Sequence, residues 1–250
     1  MDTHRKISLN DKKIFHELNF LGEDPELIRA VKECVKAQKE ASKDALKTTF
    51  KPQARASYEV SGEALMKIIA NGKTINGIRT EAEISNVIVF NDKRYENAVF
   101  SEKVSLARKR FDQLLGRRIQ DLFEEGSRLE IRSSGFFLYP PGGYMGWHTN
   151  WQNPGWRLYV NYAEKPGKSF FRYRDPETHE IVTSPDRELN FRLFRVSSGK
   201  PFWHTVYSDT FRYSLGYKIS RIPGFFKRFR RRLTVILRPK AEGSDGKGVV

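Results

Sequence analysis

Residues 129–173 read LEIRSSGFFLYPPGGYMGWHTNWQNPGWRLYVNYAEKPGKSFFRY, a succession of short β-rich runs broken by Gly, Pro and Asn. The strand-like runs are Leu129–Tyr139, Arg157–Ala163 and Ser169–Tyr173, and the pattern continues through Phe191–Val196, His204–Tyr207 and Phe211–Ile219. No helix long enough for a crossover reads between them. Closely spaced strands of this kind predict a sandwich or barrel-like β fold.

Upstream the pattern is helical. Asp24-Pro25 is a start signal, a carboxylate N-cap followed by proline at the first helical position. Behind it Leu27, Val31, Cys34, Ala41 and Ala45 fall at helical spacing to about Leu46, interrupted by polar Gln38. A second helix is expected from Ser61 to Ala70, stopping near Asn71-Gly72. A third is capped by Ser101 and carries Val104, Ala107, Phe111, Leu114, Leu115, Ile119 and Leu122 before Gly126. Val87–Phe90 is a short strand candidate. The expected class is α+β, with N-terminal helices bracing one side of a jelly roll. The expected organisation is a mainly helical region over 1–126, a β core with a basic segment over 127–240, and a flexible end over 241–250.

Composition bounds the function. The 250 residues are long enough for a substantial core. No run approaches a membrane-spanning length, and the opening MDTHRKISLN lacks the apolar region of a secretory signal. Cys34 is the only cysteine, which excludes an internal disulfide and a cysteine-based zinc cluster. An intracellular, cytoplasmic setting is expected. Lys and Arg number 45 against 30 Asp and Glu, a net charge of +15. Much of the excess lies in Arg221–Lys240, which has no acid. Such a segment favours polyanionic partners, with nucleic acid the leading candidate.

Two of the five histidines stand in notable places. His148 lies in Tyr139-Pro-Pro-Gly-Gly-Tyr-Met-Gly-Trp-His148-Thr-Asn150, read as the end of a Gly/Pro-rich turn. His204 precedes the run that carries Arg212 and Ser214. A mononuclear iron(II) oxygenase needs two imidazoles, usually with a carboxylate, on one face of the metal. A 2-oxo-dicarboxylate co-substrate also needs a buried cation for its far carboxylate, which arginine's planar fork suits. A hydroxyl two residues along the same strand faces the same way.

Residues 135–219 resemble the core of the Fe(II)/2-oxoglutarate dioxygenases, most nearly the prolyl-hydroxylase-like branch. The resemblance runs in order through Tyr139, Gly142 and Gly143, His148-Thr-Asn150, Arg157–Tyr162, Gly167–Phe171, His204 and Arg212-Tyr-Ser214. It implies a double-stranded β-helix. It also implies iron on His148 and His204, 2-oxoglutarate on Arg212 and Ser214 with Tyr139 beside it, O2 as oxidant and ascorbate as a supporting reductant. Asn150 stands where the family usually has Asp or Glu. It either ligates through its amide oxygen, steps aside to leave a two-histidine site, accompanies a halogenase-like open position, or marks a silent protein that binds nucleic acid. The substrate is open, with an anionic or macromolecular one favoured by the charge. Trp147, Trp151, Trp156, Phe171 and Trp203 are expected to wall the pocket.

Overall fold

Alternation of side chains across long strands sets the architecture. The computed structural model of the protein describes residues 6–71, 85–95, 98–124, 129–151, 153–197 and 199–222. Of the basic run Arg221–Lys240 only Arg221 and Ile222 fall among these, so the expected polyanion-binding segment and the 241–250 end lie outside the described residues.

In chain order the elements are β1 (Phe15–Glu17), α1 (Pro25–Ala41), α2 (Lys43–Thr48), α3 (Ala56–Glu59), α4 (Gly62–Ala70), β2 (Ser85–Asn86), β3 (Ile88–Val89) and α5 (Glu102–Leu122). Eight strands follow: β4 (Leu129–Tyr139), β5 (Gly143–His148), β6 (Gly155–Ala163), β7 (Ser169–Arg174), β8 (Ile181–Pro185), β9 (Leu189–Val196), β10 (His204–Ser208) and β11 (Arg212–Arg221). Together with β1, β2 and β3 they form two antiparallel sheets, a larger one ordered β1-β9-β6-β11-β4-β3 and a smaller one ordered β2-β5-β10-β7-β8.

The three expected helices are present. Asp24 Oδ1 accepts from the backbone N–H groups of Glu26 and Leu27, and its Oδ2 takes Arg118 Nε of α5 at 2.7 Å. Ser61 and Ser101 cap α4 and α5 in the same manner. The first helix ends at Ala41 rather than near Leu46, and after a break at Ser42 the chain continues as α2. No helix among the described residues is long and apolar enough to cross a membrane.

The core has two faces. Leu27, Val31 and Cys34 of α1 and Phe111, Leu115 and Ile119 of α5 pack on the outer face of the larger sheet, against Leu158, Val160, Tyr213, Leu215 and Tyr217. The inner face meets the smaller sheet through a separate cluster that includes Phe171, Phe194, Phe202, Val206 and Tyr139. Residues 211–217 place aromatics on both sides of Arg212, which leaves its facing ambiguous in the sequence. The structure resolves it: Tyr213, Leu215 and Tyr217 face the helices, so Arg212 and Ser214 face inward.

One expectation needs correction: residues 143–148 form β5 rather than part of a turn. Ile181–Pro185, to which the sequence assigns no element, forms the edge strand β8. The turn glycines at 142 and 143, and the polar run before Ile181, hide both strands from a reading of periodicity.

Replacing Asp24 with alanine removes the cap of α1 and its tie to α5. Urea denaturation should show a loss of about 1–2 kcal/mol, with Asp24→Asn retaining most of the stability; an unshifted midpoint for the alanine variant would remove the cap from the account.

Candidate active site

Strands β5 and β10 pair with His148 opposite His204, and Val206 opposite Met145. Thr205 alone therefore faces both Gly146 and Trp147. Such a bulge re-aims side chains: Met145 and His148 point into the space between the sheets, while Tyr144 and Trp147 point out onto α3 and α4. The two imidazole rings lie 4.0 Å apart, centroid to centroid.

Each ring is held from behind. His148 Nδ1 is 2.8 Å from the Gly146 carbonyl, and His204 Nδ1 is 3.0 Å from the Phe202 carbonyl. A carbonyl only accepts, so Nδ1 carries the hydrogen and Nε2 presents its lone pair. Burial pushes both pKa values down, and the adjacent His148 pushes His204 further. Both rings are thus neutral near pH 7, the state that binds a metal.

Asn150 joins them from a tight turn at φ 53°, a left-handed conformation that asparagine adopts more readily than most residues. Its Nδ2 lies 3.3 Å from His204 Nε2 and 3.4 Å from Tyr159 Oη. Among the described residues no three His, Cys, Asp or Glu side chains gather to hold a metal. The third group here is an amide.

Deeper between the sheets sits Arg212, with no exposed surface. Its Nε donates to Asp186 Oδ2 at 2.7 Å, while both Nη atoms are buried without a hydrogen-bond partner among the described residues. Tyr139 lies opposite it on β4, its ring 5.0 Å from the guanidinium carbon, and burial pushes that phenol up. Ser214 Oγ accepts from Asn161 Nδ2 at 2.8 Å, which leaves the hydroxyl hydrogen free to donate elsewhere. Tyr159 links the two levels: its ring is 6.1 Å from His204, and it packs edge-on against Phe171 and Phe194. Gly216, level with Tyr159, leaves room for that ring, since an added Cβ would come within 3.4 Å of Tyr159 Cε1.

The structure thus brings His148, Asn150, His204, Tyr139, Arg212 and Ser214 to one inter-sheet space. The expected aromatic wall is only partly correct. Phe171 lines it, together with Tyr159, Phe194 and Phe202. Trp147 and Trp203 instead pack on α4, and Trp156 packs in the helix-side core. Alternation accounts for Trp156, and the β5 bulge accounts for Trp147.

Sequence reasoning missed Asp186 and Arg192. Asp186 accepts from Ser169 Oγ, from Arg192 Nη1 and from Arg212 Nε, at 2.5, 2.5 and 2.7 Å. Burial would raise its carboxyl pKa, but the two guanidiniums outweigh that and hold it below the ordinary value. No sequence signal sets Ser184-Pro185-Asp186-Arg187 apart, and within it Ser184 and Asp186 are buried while Pro185 and Arg187 are exposed. The pairing of β7 with β8 brings Asp186 against Ser169 and into the interior.

No protein-family model matches the chain, and no curated protein matches its sequence. Among solved structures, it is similar to a prolyl-4-hydroxylase from Pseudomonas putida, with 14% identity and a TM-score of 0.37 over 72% of this chain and 96% of that one. A prolyl hydroxylase from Trichoplax adhaerens, solved with a peptide fragment of the hypoxia inducible factor oxygen degradation domain, gives 14% identity and a TM-score of 0.34, covering 77% and 92%. Likeness at this level establishes neither fold nor chemistry; both rest on the strand order and side chains described above.

Asp186→Asn should destabilise the fold by about 3–5 kcal/mol at pH 7, because it leaves two buried guanidiniums without their shared anion. A carboxylate whose folded pKa is depressed adds stability above its unfolded value, about 3.9, and loses it as pH falls through the folded one. The gap between wild type and variant should therefore narrow on acidification below about pH 4. Denaturation curves that stay equally far apart at pH 7 and pH 3 would contradict the assignment.

Proposed function

We propose that this chain is an Fe(II)- and 2-oxoglutarate-dependent oxygenase on a jelly-roll core, acting as a hydroxylase. The observation that carries the reading is the pair of buried Nη atoms on Arg212, without a partner among the described residues, in the same inter-sheet space as two neutral histidines that present Nε2 lone pairs, that of His204 toward the Asn150 amide. A buried donor without an acceptor costs about 1–3 kcal/mol, more when charged. A bidentate carboxylate relieves both Nη atoms at once. The facing strand sets β9-β6-β11-β4 and β5-β10-β7-β8 support the jelly-roll reading.

His148 and His204 would hold the iron through Nε2, with their Nδ1–H groups anchored on carbonyls so that the rings keep their orientation. The amide of Asn150 offers its oxygen to the metal after a half-turn that exchanges Oδ1 and Nδ2. As a neutral donor it leaves the site one unit more positive than aspartate would, and holds a divalent ion less firmly. Arg212 and the Ser214 hydroxyl would bind the far carboxylate of 2-oxoglutarate, with Asp186 fixing the guanidinium plane and Tyr139 packed against it. Tyr159, Phe171, Phe194 and Phe202 exclude water around the histidines. When bound, iron and 2-oxoglutarate supply the oxidation chemistry, in which O2 is consumed, the co-substrate becomes succinate and CO2, and a substrate C–H bond is hydroxylated.

Anaerobic titration with Fe(II) and 2-oxoglutarate should produce a weak visible absorption band, and aerobic incubation should release succinate only when iron is present. Arg212→Ala should lower 2-oxoglutarate affinity on the order of a hundredfold, as expected for losing a charge-assisted hydrogen-bond pair, while metal binding persists. Asn150→Asp should tighten Fe(II) binding. A flat spectrum with no succinate would overturn the proposal.

A further inference from the structure

Beyond the histidine pair the two sheets end at different places. Strand β5 stops at His148 and β10 begins at His204, whereas β4, β6 and β11 of the larger sheet run on to Leu129, Gly155 and Arg221. The inner face of that extension is the mouth of the site. It carries a transverse row in direct register, Arg132 on β4 opposite Lys218 on β11, and Lys218 opposite Arg157 on β6. Directly opposed residues of neighbouring strands share a face. Arg157 lies two residues along β6 from Tyr159, which abuts His204, so the row faces inward.

Three cations side by side work against the sheet, because like charges opposite one another destabilise it. Among the described residues only Arg132 of the three has a carboxylate partner, Glu130 at 2.7 Å, and that pair is well exposed. Among the described residues neither Arg157 nor Lys218 is paired with an acid.

Arg157 is 4% exposed. Its Nη2 donates to the Asn153 carbonyl, at the end of the turn that begins with Asn150, and its Nη1 is buried with no acceptor among the described residues. Trp151, inside that turn, likewise has a buried indole N–H without a partner. Burial pushes the Arg157 pKa down, and the Lys218 pKa is pushed down by burial and then by Arg157 and Arg132. The guanidinium and the ammonium are thus held together at a cost to each. An oxyanion between them would relieve the repulsion and give Arg157 Nη1 its acceptor.

We propose that the substrate of this site carries an oxyanion group, phosphate or carboxylate, which docks on Arg157 and Lys218 at the mouth with the Trp151 indole N–H as a neutral donor. Calling the anion a substrate group rests on the oxygenase reading; the anion site itself does not. Arg157 and Lys218 are specificity-determining here, and the deep guanidinium of Arg212 serves a different anion.

The two anion sites separate by mutation. Inorganic phosphate and acetate are titrated at low ionic strength into full-length Arg212→Ala protein, read by calorimetry and tryptophan fluorescence. The expected result is saturable binding that weakens at least tenfold when Arg157→Gln is added, and also weakens with Lys218→Gln, a part-exposed position where folding is retained. The tighter of the two anions identifies the group. Circular dichroism and a thermal melt confirm that each variant is folded. Binding abolished by Arg212→Ala alone, or indifferent to both Arg157→Gln and Lys218→Gln in folded protein, would overturn the proposal, as would no binding of either anion. 2-Oxoglutarate affinity should be unchanged in the Arg157→Gln single variant. Failure of the wild type to bind 2-oxoglutarate would instead count against the oxygenase reading while leaving the phosphate result interpretable.

Discussion

A guanidinium with no exposed surface has to find acceptors for its N–H groups inside the protein, and among the described residues Arg212 finds only one. Asp186 takes the Nε edge, and the two Nη atoms stay unpartnered. Asp186 is in turn held by Arg192 and Ser169, so the carboxylate cannot swing round to cover the rest of the fork. Arg192 is occupied by Asp186 and by the hydroxyl and carbonyl of Ser184. The buried ion network therefore leaves its unmet demand in one place, and it does so with a planar pair of donors. Removing one member of such a network is more damaging than never having built it, which ties the fold and the anion pocket to the same carboxylate.

Strand geometry converts that pocket into a site with direction. Along β11 the inner positions run Arg212, Ser214, Gly216, Lys218, and along β6 they run Asn161, Tyr159, Arg157. The order from deep to shallow is a guanidinium, a hydroxyl with its amide partner, an aromatic level beside the histidines, and a cationic mouth. A one-residue slip of β11 would turn all of these into the helix-packed core, and Tyr213, Leu215 and Tyr217 anchor the register from the other side. The helices α1 and α5 thus position the site without contributing to it. The bulge opposite Thr205 is the one irregularity the histidine pair requires, since without it Trp147 rather than His148 would face inward.

What the sequence made legible follows from the range of the interactions involved. Asp24-Pro25, Ser61 and Ser101 announce helix starts because a cap is a local hydrogen bond, and all three caps are present. Leu129–Tyr139 is legible to its final boundaries because a β-rich run between Gly126 and Pro140 needs no partner to be seen. His148, His204, Arg212 and Ser214 could be singled out by residue type and order. Asp186 and Arg192 could not, because their burial depends on β7 and β8 meeting around residues 169–186. The facing of the tryptophans was misread for a related reason: the bulge that turns Trp147 outward is a mismatch between two strands, invisible along either one. The cationic row was also hidden, since Arg132, Arg157 and Lys218 lie far apart in sequence and become neighbours only through register.

The most direct measurement is a crystal structure of the chain grown without oxygen in the presence of Fe(II) and 2-oxoglutarate. The account predicts a metal on Nε2 of His148 and His204, with the far carboxylate of the co-substrate accepting from both Nη atoms of Arg212. A metal bound elsewhere, or an Arg212 whose Nη atoms are capped by the protein's own carbonyls or carboxylates while the co-substrate is absent, would contradict it.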